Sequence, residues 1–387
     1  MFKTIQSGKK TILSSLTILT LAVSLAACGG GSSDTDTGTD TSSTPEGGGE
    51  TETAALNPPL EGNVALTGAG ASFPAPLYQN WFVQLNKEVP SLQVNYQSVG
   101  SGAGVEQFTA GTVDFGASDV AMKDEEIEKV SKGVLLLPMT AGSIVFAYNL
   151  PGVEGLKLSR EAYVGIFDGT ITQWNDPIIA EANPDLELPD EAITVVHRSD
   201  GSGTTGVLTK HFSTVSGEWE TTIGQGKSVE WPTSKGKFIG AKGNEGVTAS
   251  IQQNQGAIGY VEFGYAENND LAMAALENAS GNYIEPNNEA ASSTLDAVTL
   301  PENLRAFITD PEGENSYPIV TYTWLLAYES YDDPQKAIAV EAMVQYGLTQ
   351  GQEQSAALGY VPLPPSVREK VAAAADVISP DYEIKVD

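Results

Sequence analysis

Between His197 and Thr205 the chain reads HRSDGSGTT, which packs one arginine, one aspartate, two glycines and four hydroxyls into nine residues. Two other stretches share its grammar, GAGASFP from Gly68 to Pro74 and SVGSGAG from Ser98 to Gly104. In each, an apolar run leads into a glycine turn and a helical pattern follows. A helix start leaves amide hydrogens unpaired and carries the positive end of the helix dipole. Glycines let the backbone approach an oxyanion, and serine or threonine hydroxyls add donors. Each loop is therefore half a cup for a small tetrahedral anion. Arg198 adds one full positive charge on a fork suited to two oxygens, and Asp200 is placed to hold that fork. The same turns also serve as plain helix caps, so any one loop by itself leaves both readings open. A dinucleotide site wants GxGxxG with an acidic residue about 20 positions later, and the P-loop lysine is missing.

The elements that must position these loops alternate between short strands and helices, which predicts an α/β fold. Val64 to Leu66 reads as a strand. The helix after it carries Leu77, Trp81, Leu85 and Val89 at spacings of four, one apolar face. Pro74 and Pro76 suit its first turn, where a missing amide hydrogen costs nothing. Gln93 to Gln97 predicts a second strand, and Gly100 to Gly104 opens a helix that Gly111 stops. Thr112 to Gly116 predicts a third strand ending at Asp119. The apolar segment from Val134 to Gly142 leads into Ile144–Tyr148, and a second such segment runs from Ser316 to Ala327. Both read as crossings between two lobes. Lobe 1 is then residues 60–140 plus 317–387, and lobe 2 is residues 141–316. Trp174, Trp219, Trp231 and Trp324 read as packing residues, Asp124–Glu128 as a solvated helix face, and residues 267–315 as surface helix and loop.

The 387 residues carry 50 acidic and 20 basic side chains, net −30, which excludes nucleic acid as a partner by simple repulsion. Catalysis lacks its parts. There are two histidines, His197 and His211, one cysteine and no GxSxG turn, so no nucleophilic triad, metal cluster or cofactor site assembles. The single cysteine, Cys28, follows Lys3, Lys9, Lys10 and an apolar run to Leu25. That is the layout of a secretory signal over residues 1–27. Residues 28–59, rich in Gly, Ser and Thr, have almost nothing to bury and form a disordered tether.

Four ordered stretches carry a family resemblance: LTGAGASFPAPLYQNWF (Leu66–Phe82), VNYQSVGSGAGVEQFTAGTVDFGASD (Val94–Asp119), RSDGSGTTGV (Arg198–Val207) and KGNEGVTASIQQNQGAIGYVEF (Lys242–Phe263). Together they resemble the phosphate-binding component of bacterial high-affinity phosphate ABC transporters, from about residue 60 to Val367. The resemblance implies the two-lobed periplasmic binding protein fold of type II, with two crossings between lobes. It implies phosphate ligands at Ser72, Phe73 (through its amide), Ser101, Asp119, Arg198, Ser202, Gly203 and Thr204, with Asp200 supporting the arginine. Ser72 stands where many members have threonine. The ending Leu25-Ala-Ala-Cys28 resembles a lipobox, which implies a lipid on Cys28 and a monomer anchored at the periplasmic or outer cell surface. Membrane permease subunits are the implied partners. Asp119 gives selectivity a physical basis. A carboxylate beside an oxyanion repels it unless the oxyanion shares a proton, as phosphate does and sulfate at neutral pH does not. A buried acceptor left unpaired costs about 1–3 kcal/mol. Arsenate carries the same proton, so it stays an alternative ligand, and a surface lipoprotein with a signalling or adhesion role is the alternative use.

Overall fold

The computed structural model describes residues 56–386. The signal segment, Cys28 and most of the tether lie outside the described residues. Eight strands carry the site. They are β1 Val64–Gly70, β2 Leu92–Ser98, β3 Phe115–Ser118, β4 Leu135–Asn149, β5 Thr194–Arg198, β6 Lys237–Ala241, β7 Ala257–Glu262 and β8 Val320–Ala327. They form one path, β2-β1-β3-β8-β4-β7-β5-β6, with the two-residue strand Ala272–Met273 attached to β4 as a ninth. β1, β2 and β3 are parallel to one another, as are β7, β5 and β6. β8 lies antiparallel to β3 and to β4.

β4 is the element shared by the two halves. Eight of its first nine residues pair with β8, and from Ile144 onward it pairs with β7. The segment containing Pro138 and Gly142, read from the sequence as a crossing, is one unbroken strand through both residues. The register slips where Thr323 gives way to Trp324, so that Trp324 lies opposite Pro138 and Met139 is left over. An irregularity of this kind accommodates a residue that has no amide hydrogen to give. The third strand also differs from expectation. It begins at Phe115, because Gly111 turns the chain at φ 71° and the Thr112 hydroxyl donates back to the Gln107 carbonyl.

The helices that open at the glycine loops are α1 Ala75–Glu88, α2 Ser101–Thr109, α3 Gly203–Val215 and α4 Gly243–Gln253. Leu77, Trp81, Leu85 and Val89 are buried together, as their spacing requires. Aromatic side chains pack each half: Tyr78, Phe82, Tyr96 and Phe115 in one, Phe146, Tyr163, Phe167 and Phe212 in the other. Trp174, Trp219 and Trp324 are fully enclosed, and Trp231 is half-buried and stacks on His197. The segment read as surface from its composition buries Ala291, Leu295, Leu300 and Leu304. Asp124–Ile127 is a short helix, and its Glu126 is tied to Lys227 at 3.2 Å.

Candidate functional site

The glycine loops meet. Each follows the C-terminal end of a parallel strand, where open α/β sheets place their ligand sites. Gly102 N donates to the Gly201 carbonyl at 2.7 Å, joining the second loop to the third. A Cβ on Gly203 would stand 2.3 Å from Ser101 Oγ and 2.6 Å from Asp119 Oδ2, so only glycine permits this approach. Gly100, at φ 91°, faces the Asp200 carboxylate in the same way. The first turns of α1, α2, α3 and α4 are thereby gathered around one point.

Arg198 ends β5 and is almost wholly buried. Its Nε donates to Asp200 Oδ1 at 2.8 Å and its Nη2 to Asp200 Oδ2 at 2.6 Å, a two-pronged pair. Asp200 Oδ1 also accepts from Gly243 N, and the arginine beside it holds its carboxyl below the usual carboxylate range despite burial. Nη1 is turned the other way, 3.4 Å from Thr204 Oγ1. The backbone of Arg198 is held from behind, its amide donating to Tyr260 OH at 3.0 Å.

Asp119 lies just past β3 and is 1% exposed. Its amide donates to Ser101 Oγ at 3.2 Å, and its Oδ1 accepts from Thr323 Oγ1 at 2.9 Å. Burial pushes its carboxyl up to about 6. The Thr323 hydroxyl, the Arg198 guanidinium and the hydroxyls of Thr204 and Ser101 hold it from rising further. Asp119 is therefore poised between donor and acceptor near neutral pH.

Ser72 Oγ accepts from Asn244 N at 3.0 Å and from Asn244 Nδ2 at 2.9 Å. The carbonyl of Ser72 takes the Tyr265 hydroxyl and that of Phe73 takes the Tyr360 hydroxyl, which fixes the loop that presents the Phe73 amide. Ser202 caps α3, its Oγ accepting from Thr205 N at 3.0 Å. All eight residues implied as ligands, with Asp200, belong to this one cluster. His197 points away, its Nδ1 against the Arg198 carbonyl and its ring stacked on Trp231.

Three participants escape a reading of the sequence. Asn244 links Ser72 to Thr204 and accepts from Glu262 N through Oδ1. It lies in KGNEG, a fourth glycine turn opening a helix, and that grammar was its available signal. Thr323 has a fainter one: with Thr321 it makes an alternating pair of hydroxyls in a strand otherwise apolar and buried. Glu262 ends β7 fully buried, its Oε1 accepting from Gly264 N. Burial pushes its carboxyl well above the usual carboxylate range.

Residues 31–349 match the family model described as a PBP superfamily domain. The chain is 42% identical over 315 residues to the phosphate-binding protein PstS of Pasteurella multocida, covering 80% of this chain and 89% of that one. It is 37% identical to the phosphate-binding protein PstS of Methanocaldococcus jannaschii, covering 83% and 87%. Among solved structures, a high affinity periplasmic phosphate-binding protein (PfluDING) bound with phosphate superposes with a TM-score of 0.68 at 22% identity, covering 80% and 93%. The phosphate-binding protein from Stenotrophomonas maltophilia gives 0.65 at 20%, covering 80% and 94%. The fold is thus the two-lobed α/β binding-protein fold of type II.

Proposed function

The chain belongs to the PstS family of phosphate-binding proteins within the PBP superfamily, and from that premise we propose how it works. It binds inorganic phosphate in the cleft between its lobes and delivers it to the membrane subunits of an ABC transporter for high-affinity uptake. Ser72, the Phe73 amide, Ser101, Asp119, Arg198, Ser202, Gly203 and Thr204 are the ligands, and Asp200 holds the arginine. Asn244 and Thr323 position Ser72 and Asp119. The lobes are residues 60–140 plus 317–387 and residues 141–316. Cys28 carries a lipid, residues 28–59 are the tether, and the exported protein works as a monomer and as a carrier, not a catalyst.

The observation that carries this reading is the buried pairing of opposites. One guanidinium, paired with Asp200 on one side and with Nη1 3.4 Å from Thr204 Oγ1, also acts on the buried Asp119 carboxyl, whose pKa it helps hold down, within the same ring of helix starts. An anion receptor has no use for Asp119 unless its guest brings a proton to donate. Phosphate supplies that hydrogen bond. With sulfate two acceptors face each other, and sites built around a ligand's donor reject an analogue lacking it by about 10⁴-fold. Remote surface carboxylates matter little in such an enclosed site, since screening limits them to about 8–10 Å.

Calorimetry with phosphate, arsenate and sulfate at two pH values tests the proposal. Tight phosphate binding, negligible sulfate binding and eroded discrimination in Asp119→Asn are expected. Equal affinity for sulfate in the unaltered protein would refute it, and stronger binding of arsenate would reassign the cargo.

A further inference from the structure

Beside the loops lies a cavity of about 610 Å³ that shares Asp119 with them as a wall. Its other walls come from both halves of the molecule and include Lys123, Lys210, Lys227, Phe307 and Thr321. Gly206 lets the halves touch there: a Cβ on it would be 2.8 Å from Val120 Cγ2. Three lysines around one cavity are notable in a chain of net charge −30.

Two of them are arranged against their own interest. Lys227 is neutralised by Glu126, but neither Lys123 nor Lys210 forms an ion pair among the described residues. Lys210 Nζ is fixed over the Phe307 ring, 4.2 Å from its centroid, an attraction that holds the ammonium at the cavity wall. Burial lowers the pKa of Lys210 from its ordinary value, and the positive charge of Lys123 lowers it further. The wall also holds the Asp119 and Glu126 carboxylates, and with Glu126 paired to Lys227, Lys123 and Lys210, one from each half, remain as cations without an ion pair among the described residues.

We propose that this cavity is an antechamber in which Lys123 and Lys210 capture a phosphate anion before the glycine loops take it. The proposal rests on the phosphate-binding reading of the neighbouring loops. At long range the acidic surface repels the guest. Within about one Debye length the local pair dominates and attracts the entering and the bound anion alike, so it raises the on-rate and the affinity together and leaves the off-rate nearly unchanged. Both lysines lie outside the ligand cluster, so the off-rate does not depend on them.

Stopped-flow fluorescence on phosphate binding tests this with Lys123→Gln and Lys210→Gln combined. The control, Lys87→Gln with Lys385→Gln, removes the same charge from exposed positions elsewhere. At low ionic strength the antechamber variant should associate about fivefold more slowly than the control, with an unchanged off-rate. The difference should vanish at high salt. An on-rate equal to the control's, or a loss carried by the off-rate, overturns the antechamber while leaving the binding site intact. A parent protein that shows no phosphate binding at all overturns both.

Discussion

The hydroxyl of Thr323 donates to Asp119 Oδ1 at 2.9 Å across a sequence separation of 204 residues, leaving Oδ2 as the oxygen nearest Gly203. β8 thus sets which oxygen of the carboxylate meets the ligand. Thr323→Val removes a bond to a charged acceptor worth about 1.5–3 kcal/mol, enough to raise the pKa of Asp119 by about 1 to 2. The acceptor form of Asp119 needs deprotonation, so the pH at which phosphate is preferred over sulfate should move upward by a similar interval. Calorimetric titrations with both anions across pH 5–9 check this, and an unmoved profile would separate Thr323 from the site.

Gly203 is the closest point of approach between α3 and the loop that carries Ser101. In Gly203→Ala the added methyl obstructs the meeting of two loops, not the core of either half. Overpacking of this kind costs about 1–3 kcal/mol, so phosphate affinity should fall about 10- to 100-fold. Thermal unfolding without phosphate should stay close to that of the parent. A parallel loss of intrinsic stability would mean the loops are pressed together even without a guest.

His211 is buried on α3 with Nε2 2.9 Å from Tyr163 OH and, among the described residues, no partner for Nδ1. Burial, with Arg160 adding repulsion, lowers its pKa to about 3, so the fold holds it neutral. The unfolded chain takes up a proton near pH 6.5 and the folded one near 3. Its stability contribution is therefore full above about pH 6.5 and is lost as pH falls through the interval down to about 3. At pH 5 the loss amounts to about 2 kcal/mol. His211→Gln should flatten the acid side of the stability profile in urea unfolding, while phosphate affinity at pH 7.5 holds.

Strands and helices that obey one period were legible in the sequence. The face of α1 stands out because Leu77, Trp81 and Leu85 recur every four residues and all are buried. Arg198 and Asp200 were legible for a similar reason: a pair two residues apart needs no knowledge of the fold. Thr323 was not, since its partner is set by which strand inserts beside β3, a property of the whole sheet. Asn244 stood in plain view within a familiar turn, but its contacts to Ser72 join distant loops. The irregularity at Pro138 was not legible, because it depends on how the ladder with β8 adapts to a residue without an amide hydrogen.

β8, made from residues 320–327, lies between β3 and β4. During synthesis, β3 and β4 emerge early with their facing edges bare. Those edges stay bare until some two hundred residues more have been added. Such unsatisfied edges invite adhesion to other chains, and pairing over that separation is slow. The sheet that joins the two halves is thus completed only by the last of its strands to be made.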